Sequence, residues 1–290
     1  MNLTREQMEL LPSDTDVAFY QEHGWYISKP IFHEEDIDDA IYGSERHYAS
    51  ERDRPLLISG YLDWKPEHGN VLRLNDYVSL QNDELRNIVF NSLIGAIAAR
   101  LSRSLTMRLF HDQLLYKPPQ DNDQKGIIGW HTDVAYWATC TSHQMLTAWI
   151  PFQDCDENMG TLTMIDGSHK WSGSTGLRTF RNTDLEELER SFETDGASIV
   201  KVPMNLKKGQ VSFHHCATIH GGQANLSDRP RIALAVHMQD ETNHYQASKD
   251  KDGKPAFHIL DTLCRKLPDN TPDYKDPDIC PVLWAGSASS

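Results

Sequence analysis

Three side chains in this 290-residue chain, His131, Asp133 and His220, have the types that hold a metal ion. His131 and Asp133 stand two apart in IIGWHTDVAYW, residues 127 to 137. In a strand, residues i and i+2 leave the same face, so an imidazole and a carboxylate would project together from a run otherwise built for packing. Downstream, FHHCATIHGG supplies His214, His215 and His220. A regular strand there puts His214, Cys216, Thr218 and His220 on one face and His215 on the other. Gly221 and Gly222 follow His220, and the lack of side chains would let a ligand approach closely. Two histidines and a carboxylate on one face of a metal leave three positions open, which is how non-haem Fe(II) oxygenases are built. Zinc accepts the same three ligands plus water, so the residues alone do not name the metal.

Arginines come next. SDRPRIALAVHM carries Arg229 and Arg231, and alternation puts Arg231, Ala233, Ala235 and His237 on one strand face otherwise lined by small residues. A guanidinium on such a face is costly to bury unless it meets an anion. Its planar fork suits a carboxylate gripped at two points. A dicarboxylate that chelates a metal at one end and meets an arginine at the other would use both features.

The elements that must position these groups read as follows. DTDVAFYQEHG is a short helix closed by Gly24. WYISKPIF is a strand interrupted by Pro30, and HEEDIDDAIYGSERHYASE is a helix with an acidic start. NDELRNIVFNSLIGAIAARLS spaces Leu85, Val89, Leu93, Ile97 and Leu101 at four-residue steps, which predicts one amphipathic helix packed on a core. From about Leu105 the chain becomes a series of short strand-like runs separated by Gly, Pro, Asn and Asp, a pattern of sandwiches and jelly rolls. The expected organisation is one domain over residues 1–290. Residues 1–104 form a helical and strand support, 105–240 the β core and 241–290 a C-terminal extension. Residues 171–198, with one short acidic helix, read as a mobile, lid-like insertion.

WHTDVAYW, then LTAWIPFQDCDENMGTLTMIDGSHK, then FHHCATIHGGQANLSDRPRIALAVHM together resemble the phytanoyl-CoA dioxygenase family, from roughly Phe110 to Met238. GWYISKPIFHEEDIDDAI resembles that family's N-terminal strand and helix. The resemblance implies a mainly β fold with flanking helices, whose core is a double-stranded β-helix (a cupin-like jelly roll) behind an N-terminal helical layer. It implies Fe(II) as metal, with 2-oxoglutarate and O2 as co-substrates. His131, Asp133 and His220 match the iron ligands, and Arg231 matches the arginine that holds the far carboxylate of 2-oxoglutarate. Trp149 matches a co-substrate-pocket tryptophan, and Gln113 or Lys117 takes a further polar contact that varies among members. The family often carries a serine where this chain has Gly222, so that hydroxyl contact is missing here. Asp133 disfavours halogenation, whose enzymes lack this carboxylate. Alternation places Trp137 beside the ligands as a candidate substrate contact, and His214 is either a support for the ligands or core.

The implied function is hydroxylation of a small molecule, a secondary metabolite or amino-acid-like compound, with release of succinate and CO2. Two alternatives stay open: a metal-dependent β-barrel hydrolase or isomerase without 2-oxoglutarate, and a non-catalytic ligand-binding barrel. With 42 acidic against 28 basic residues the net charge is −14, which argues against a nucleic-acid partner. Five scattered cysteines without a C-x-x-C fit a reducing, cytoplasmic setting and structural roles. No secretory leader and no peroxisomal address are expected from MNLTREQMELLPSDTD and GSASS, and no apolar run reaches membrane length. Selectivity is expected in LLISGYLDWKPEHGN, residues 56–70, and in 171–198; oligomeric state has no sequence signal.

Overall fold

The computed structural model describes residues 3–56, 63–119, 126–250 and 252–286. Thr4 and Ser13 cap two N-terminal helices, α1 (Arg5–Glu9) and α2 (Asp14–His23), each through a reciprocal capping box. Gly24 ends α2 in the left-handed region at φ 77°, as its position after His23 predicts. The strand β1 (Trp25–Ile27) stops three residues before Pro30, and α3 (Glu34–Tyr48) follows with three acidic residues in its first turn. Then come β2 (Arg73–Asp76), α4 (Asp83–Val89) and α5 (Ser92–Ser102).

The single amphipathic helix expected over this last stretch is in fact two. Asn91 breaks it, because its side chain accepts from the Leu93 amide at 2.9 Å and starts α5 afresh. The expected stripe survives the break, since Leu85, Val89, Leu93, Ile97 and Leu101 are all buried.

The β core comprises β3 (Thr106–Lys117), β4 (Ile128–His131), β5 (Leu146–Pro151), β6 (Thr163–Ile165), β7 (Lys201–Pro203), β8 (Ser212–His215), β9 (His220–Gly222) and β10 (Arg231–Asp240). The helix α6 (Leu185–Arg190) lies between β6 and β7, and α7 (Leu260–Leu263) and β11 (Val282–Ala285) close the described chain. One sheet runs β1-β8-β5-β10-β3-β11, with β2 also paired to β3; a second runs β4-β9-β6-β7. All named pairings are antiparallel, and the two sheets form the double-stranded β-helix.

Alternation along β10 decides which side chains meet which layer. Leu234, Val236 and Met238 join a core with Ile94, Ile97 and Leu101 of α5 and with Leu114, Ile150 and Phe213. Each such aliphatic side chain contributes about 1.5–3 kcal/mol by leaving water. Ala233 and Ala235 face the other way, into a second cluster with Leu115, Trp149 and Met164 between the sheets. Helices therefore hold the large sheet from outside and leave its inner face free to build a chamber.

Residues 171–198 are tied to the β core by backbone hydrogen bonds and apolar packing. The Gly129 amide donates to the Phe180 carbonyl at 2.9 Å, and the Thr132 amide to the Leu177 carbonyl at 3.1 Å. Leu185 and Leu188 of α6 pack with Trp130, Ile165 and Trp171. Part of the expected selectivity stretch 56–70, namely residues 57–62, lies outside the described residues.

Candidate metal centre and its chamber

His131, Asp133 and His220 come together although neither of the local conformations expected for them holds. The strand β4 ends at His131, and Asp133 begins a 3-10 turn, Asp133–Tyr136. His214 and His220 likewise belong to different strands, β8 and β9, in different sheets. The chain turns over between them, so the expected continuous strand face does not exist. Instead β4 and β9 pair with His131 opposite His220, and the turn after His131 swings Asp133 in. One ligand atom from each residue lies within 4.8 Å of the other two, all three residues are buried, and the His131 and His220 ring centroids are 4.1 Å apart. It is the one such grouping among the described residues.

The supporting hydrogen bonds fix which atoms face inward. His131 Nδ1 donates to the Gly129 carbonyl at 2.8 Å, and His220 Nδ1 donates to the Thr218 carbonyl at 2.9 Å. Both rings therefore present an unprotonated Nε2. On Asp133 one oxygen is already engaged. Oδ2 accepts from Thr147 Oγ1 at 2.5 Å and from His214 Nε2 at 3.2 Å, while Oδ1 points towards His220 Nε2 at 3.6 Å. His214 is thus a support for the carboxylate and not part of the core. Thr147 spends its proton on Asp133, so it accepts from His237 Nδ1 at 2.7 Å.

Electrostatics agree with a deprotonated donor set. Burial holds His131 below its ordinary value, and burial with the neighbouring His131 and His214 rings holds His220 well below. Burial alone would push the Asp133 carboxyl up, but His220, His237 and His214 around it hold it well below the usual carboxylate range. Two neutral imidazoles and a carboxylate are the forms a divalent cation binds.

The glycines after His220 have a different purpose from the one expected. A Cβ on Gly221 would stand 2.8 Å from the Ile128 carbonyl oxygen, and one on Gly222 3.1 Å from that of Thr161. They let β9 fit between β4 and β6; they do not clear a path for a ligand.

At the far end of the chamber Arg231 is 1% exposed, and its Nε and Nη2 have no hydrogen-bond partner. Its guanidinium lies 5.2 Å from the Trp149 ring centroid. Directly across the strand pair is Lys117, also fully buried, whose Nζ donates to the carbonyls of Gln223 at 2.5 Å and Gly160 at 3.2 Å. Burial, and then Arg231, hold the Lys117 amine well below its ordinary value. Like charges directly opposite one another destabilise a sheet. No carboxylate of a described residue pairs with Arg231, and its orphaned donors fit an anion. Arg229, the other arginine of that run, is exposed.

A cavity of about 680 Å³ joins the triad to Arg231 and Trp149. Gln113 lines it and donates to Asp76 Oδ1 at 2.8 Å, whereas Lys117 is not part of its wall. Trp137 lines it too, despite the lost strand alternation, with its ring edge-on to His237 at 5.2 Å. Sequence reasoning missed Thr147, Asp76, His111, His258 and Phe180, all of them in the wall. His111, His237, Thr147 and His214 lie in one row across β3, β10, β5 and β8. The period-2 rule applied jointly to those strands finds them, given the register. No local pattern marks Asp76 or His258.

Residues 34–233 match the phytanoyl-CoA dioxygenase (PhyH) family. The peroxisomal phytanoyl-CoA dioxygenase of Bos taurus is 24% identical over 246 residues, which cover 78% of this chain and 68% of the relative. Among solved structures, the epimerase SnoN in complex with Fe3+, alpha ketoglutarate and nogalamycin RO is similar, with a TM-score of 0.67 at 21% identity over 93% of this chain and 98% of that one. So is EctD from S. alaskensis with 2-oxoglutarate and 5-hydroxyectoine, with a TM-score of 0.65 at 18% identity over 85% and 81%. At these identities the two structures speak for the fold, and the match over 34–233 decides the family. The chain belongs to the phytanoyl-CoA dioxygenase family.

Proposed function

We propose that the protein is an Fe(II)- and 2-oxoglutarate-dependent oxygenase that hydroxylates a small molecule. The observation that carries this is the pairing of a His-Asp-His face with an orphaned, buried Arg231 at the other end of one chamber. A metal-dependent hydrolase or isomerase that works without 2-oxoglutarate does not account for that arginine.

In this reading Nε2 of His131 and His220 and Oδ1 of Asp133 hold the iron, and Thr147 and His214 keep Asp133 from binding through both oxygens. Iron with 2-oxoglutarate and O2 supplies the oxidation of a substrate C–H bond, coupled to loss of CO2 and formation of succinate. Arg231 grips the far carboxylate of 2-oxoglutarate, and the Trp149 ring beside it fixes the fork's plane. Gln113 is held by Asp76, and we assign it to the substrate side of the chamber instead of to the co-substrate. Phe180 packs edge-on against His131 at 4.9 Å and, with Trp137, excludes water from the metal's open side. Trp137 is the substrate contact nearest His237.

The comparison structures hold nogalamycin RO and 5-hydroxyectoine, which favours a secondary metabolite or amino-acid-like substrate here. The test is O2-dependent conversion of 2-oxoglutarate to succinate by the Fe(II)-loaded protein. Arg231→Met should raise the 2-oxoglutarate requirement by about 100-fold, the worth of a two-point charged contact of roughly 3 kcal/mol. Equal requirements in both proteins would remove Arg231 from the co-substrate site.

A further inference from the structure

The chamber wall beyond the metal carries a polar set that the proposed chemistry does not use. Asp76, at the end of β2, is 2% exposed and lines the cavity. Its Oδ1 accepts from His111 Nε2 at 3.1 Å and from Gln113 Nε2 at 2.8 Å. Among the described residues none donates to its Oδ2. His111 stacks on His237 with ring centroids 5.2 Å apart, and His258 stands edge-on to His111 at 5.5 Å.

Hydrogen bonds made elsewhere decide what each ring offers. His237 donates through Nδ1 to Thr147, so its Nε2 is left as an acceptor. His258 accepts the Leu260 amide through Nδ1 at 3.2 Å, so its Nε2 is left as a donor. Around these groups the wall carries Leu74, Ile128, Tyr136, Trp137 and Phe180, with Arg178 over the Tyr136 ring and Arg181 also in the lining. A carboxylate oxygen that lines the chamber without a donor from a described residue favours a ligand that brings one.

We infer that Asp76 is the specificity-determining residue of the chamber and that it reads an N–H or O–H donor, an amine or a hydroxyl, on a ring-shaped substrate. Two imidazole rings, those of His111 and His237, separate Asp76 from the Thr147–Asp133 pair. A substrate anchored at Asp76 therefore lies along the histidine row with its other end towards the metal. A saturated acyl chain brings no donor to Asp76 and is rejected. This assignment rests on the chamber being the substrate site of the proposed oxygenase.

Four probes that share one frame test it: 2-(2-naphthyl)ethylamine, 2-(2-naphthyl)ethanol, 2-ethylnaphthalene and 2-naphthylacetate. Their binding is measured by titration calorimetry on the apo protein, and again with Zn(II) and 2-oxoglutarate, where no turnover occurs. The amine and the alcohol should bind at least about tenfold more tightly than the ethyl and acetate compounds, as expected when a buried acceptor goes unpaired. Asp76→Asn should abolish the preference for the amine and keep part of that for the alcohol. Thermal melting of the variant verifies that it is folded, and if it is not, the ranking of the four probes on the wild type decides alone. Equal binding of all four, or an unchanged ranking in folded Asp76→Asn, overturns the assignment. Arg231→Ala separates the two readings. If it loses 2-oxoglutarate and keeps the ranking, the donor site stands on its own; if the wild type itself ignores 2-oxoglutarate yet ranks the probes, the oxygenase reading fails and this one stands.

Discussion

Thr147→Val removes one oxygen and almost no volume, and the structure gives that oxygen two duties. It donates to Asp133 Oδ2 at 2.5 Å and accepts from His237 Nδ1 at 2.7 Å. The first bond is to a charged acceptor, a class worth about 1.5–3 kcal/mol when broken in a buried site. Part of this is recovered, because His214 still reaches the same oxygen at 3.2 Å and His237 Nδ1, 3.7 Å away, can move towards it. The net expectation is a metal affinity lower by about 10- to 100-fold, or roughly 1.4–2.7 kcal/mol. Competition of a chromogenic chelator for Fe(II) or Co(II) measures it. Thr147→Ser, which keeps the hydroxyl and loses only a methyl, should bind almost as the wild type does. If Val and wild type bind equally, or if Ser is as weak as Val, Thr147 does not orient Asp133 and the one-oxygen assignment falls.

Gly221→Ala would press a methyl against the Ile128 carbonyl and wedge β9 from β4. It should cost about 1–3 kcal/mol of stability, read by denaturant titration, and weaken metal binding because His131 and His220 separate. A variant as stable as the parent would show that the strands can part without harm. A further prediction concerns His47, buried on α3, whose ring burial and then Arg52 pull down to about 4. The unfolded ring titrates near 6.5, so between about 6.5 and 4 the unfolded state binds the extra proton, and this contribution to stability is lost as pH falls through that window. His47→Phe should flatten the apo protein's stability curve there by up to about 1.4 kcal/mol per pH unit, measured by denaturant melts at pH 7, 6 and 5. A parallel curve would mean that His47 is already solvated.

The β core was legible because its physics is local. In β10 the residues Leu234, Val236 and Met238 on one face, and Ala233, Ala235 and His237 on the other, follow from period-2 alternation, and the faces went where hydrophobicity sends them. The triad was legible by residue type and by resemblance, but the geometry that joins it was not. A 3-10 turn after His131 and a change of sheet between His214 and His220 do what two regular strands were expected to do. Both depend on long-range packing: the Val134 amide bonds to the Cys216 carbonyl and the Ile219 amide to Ser168 Oγ, contacts no local pattern encodes. Asn91 shows the opposite case, a capping residue within an apolar stripe whose helix-breaking role the four-residue spacing concealed. Asp76 and His258 are in reach of the chamber only through the pairing of β2 with β3 and the fold of the C-terminal segment.

In the proposed oxygenase one chamber holds Fe(II) at His131, Asp133 and His220 and a 2-oxo dicarboxylate between that iron and Arg231. The deciding measurement is anaerobic addition of Fe(II) and 2-oxoglutarate, followed in the visible spectrum. The wild type should develop the weak charge-transfer band of an iron-chelated 2-oxo acid. His220→Ala should abolish the band, and Arg231→Ala should need far more 2-oxoglutarate to reach it. A folded, iron-loaded wild type without the band would contradict this arrangement.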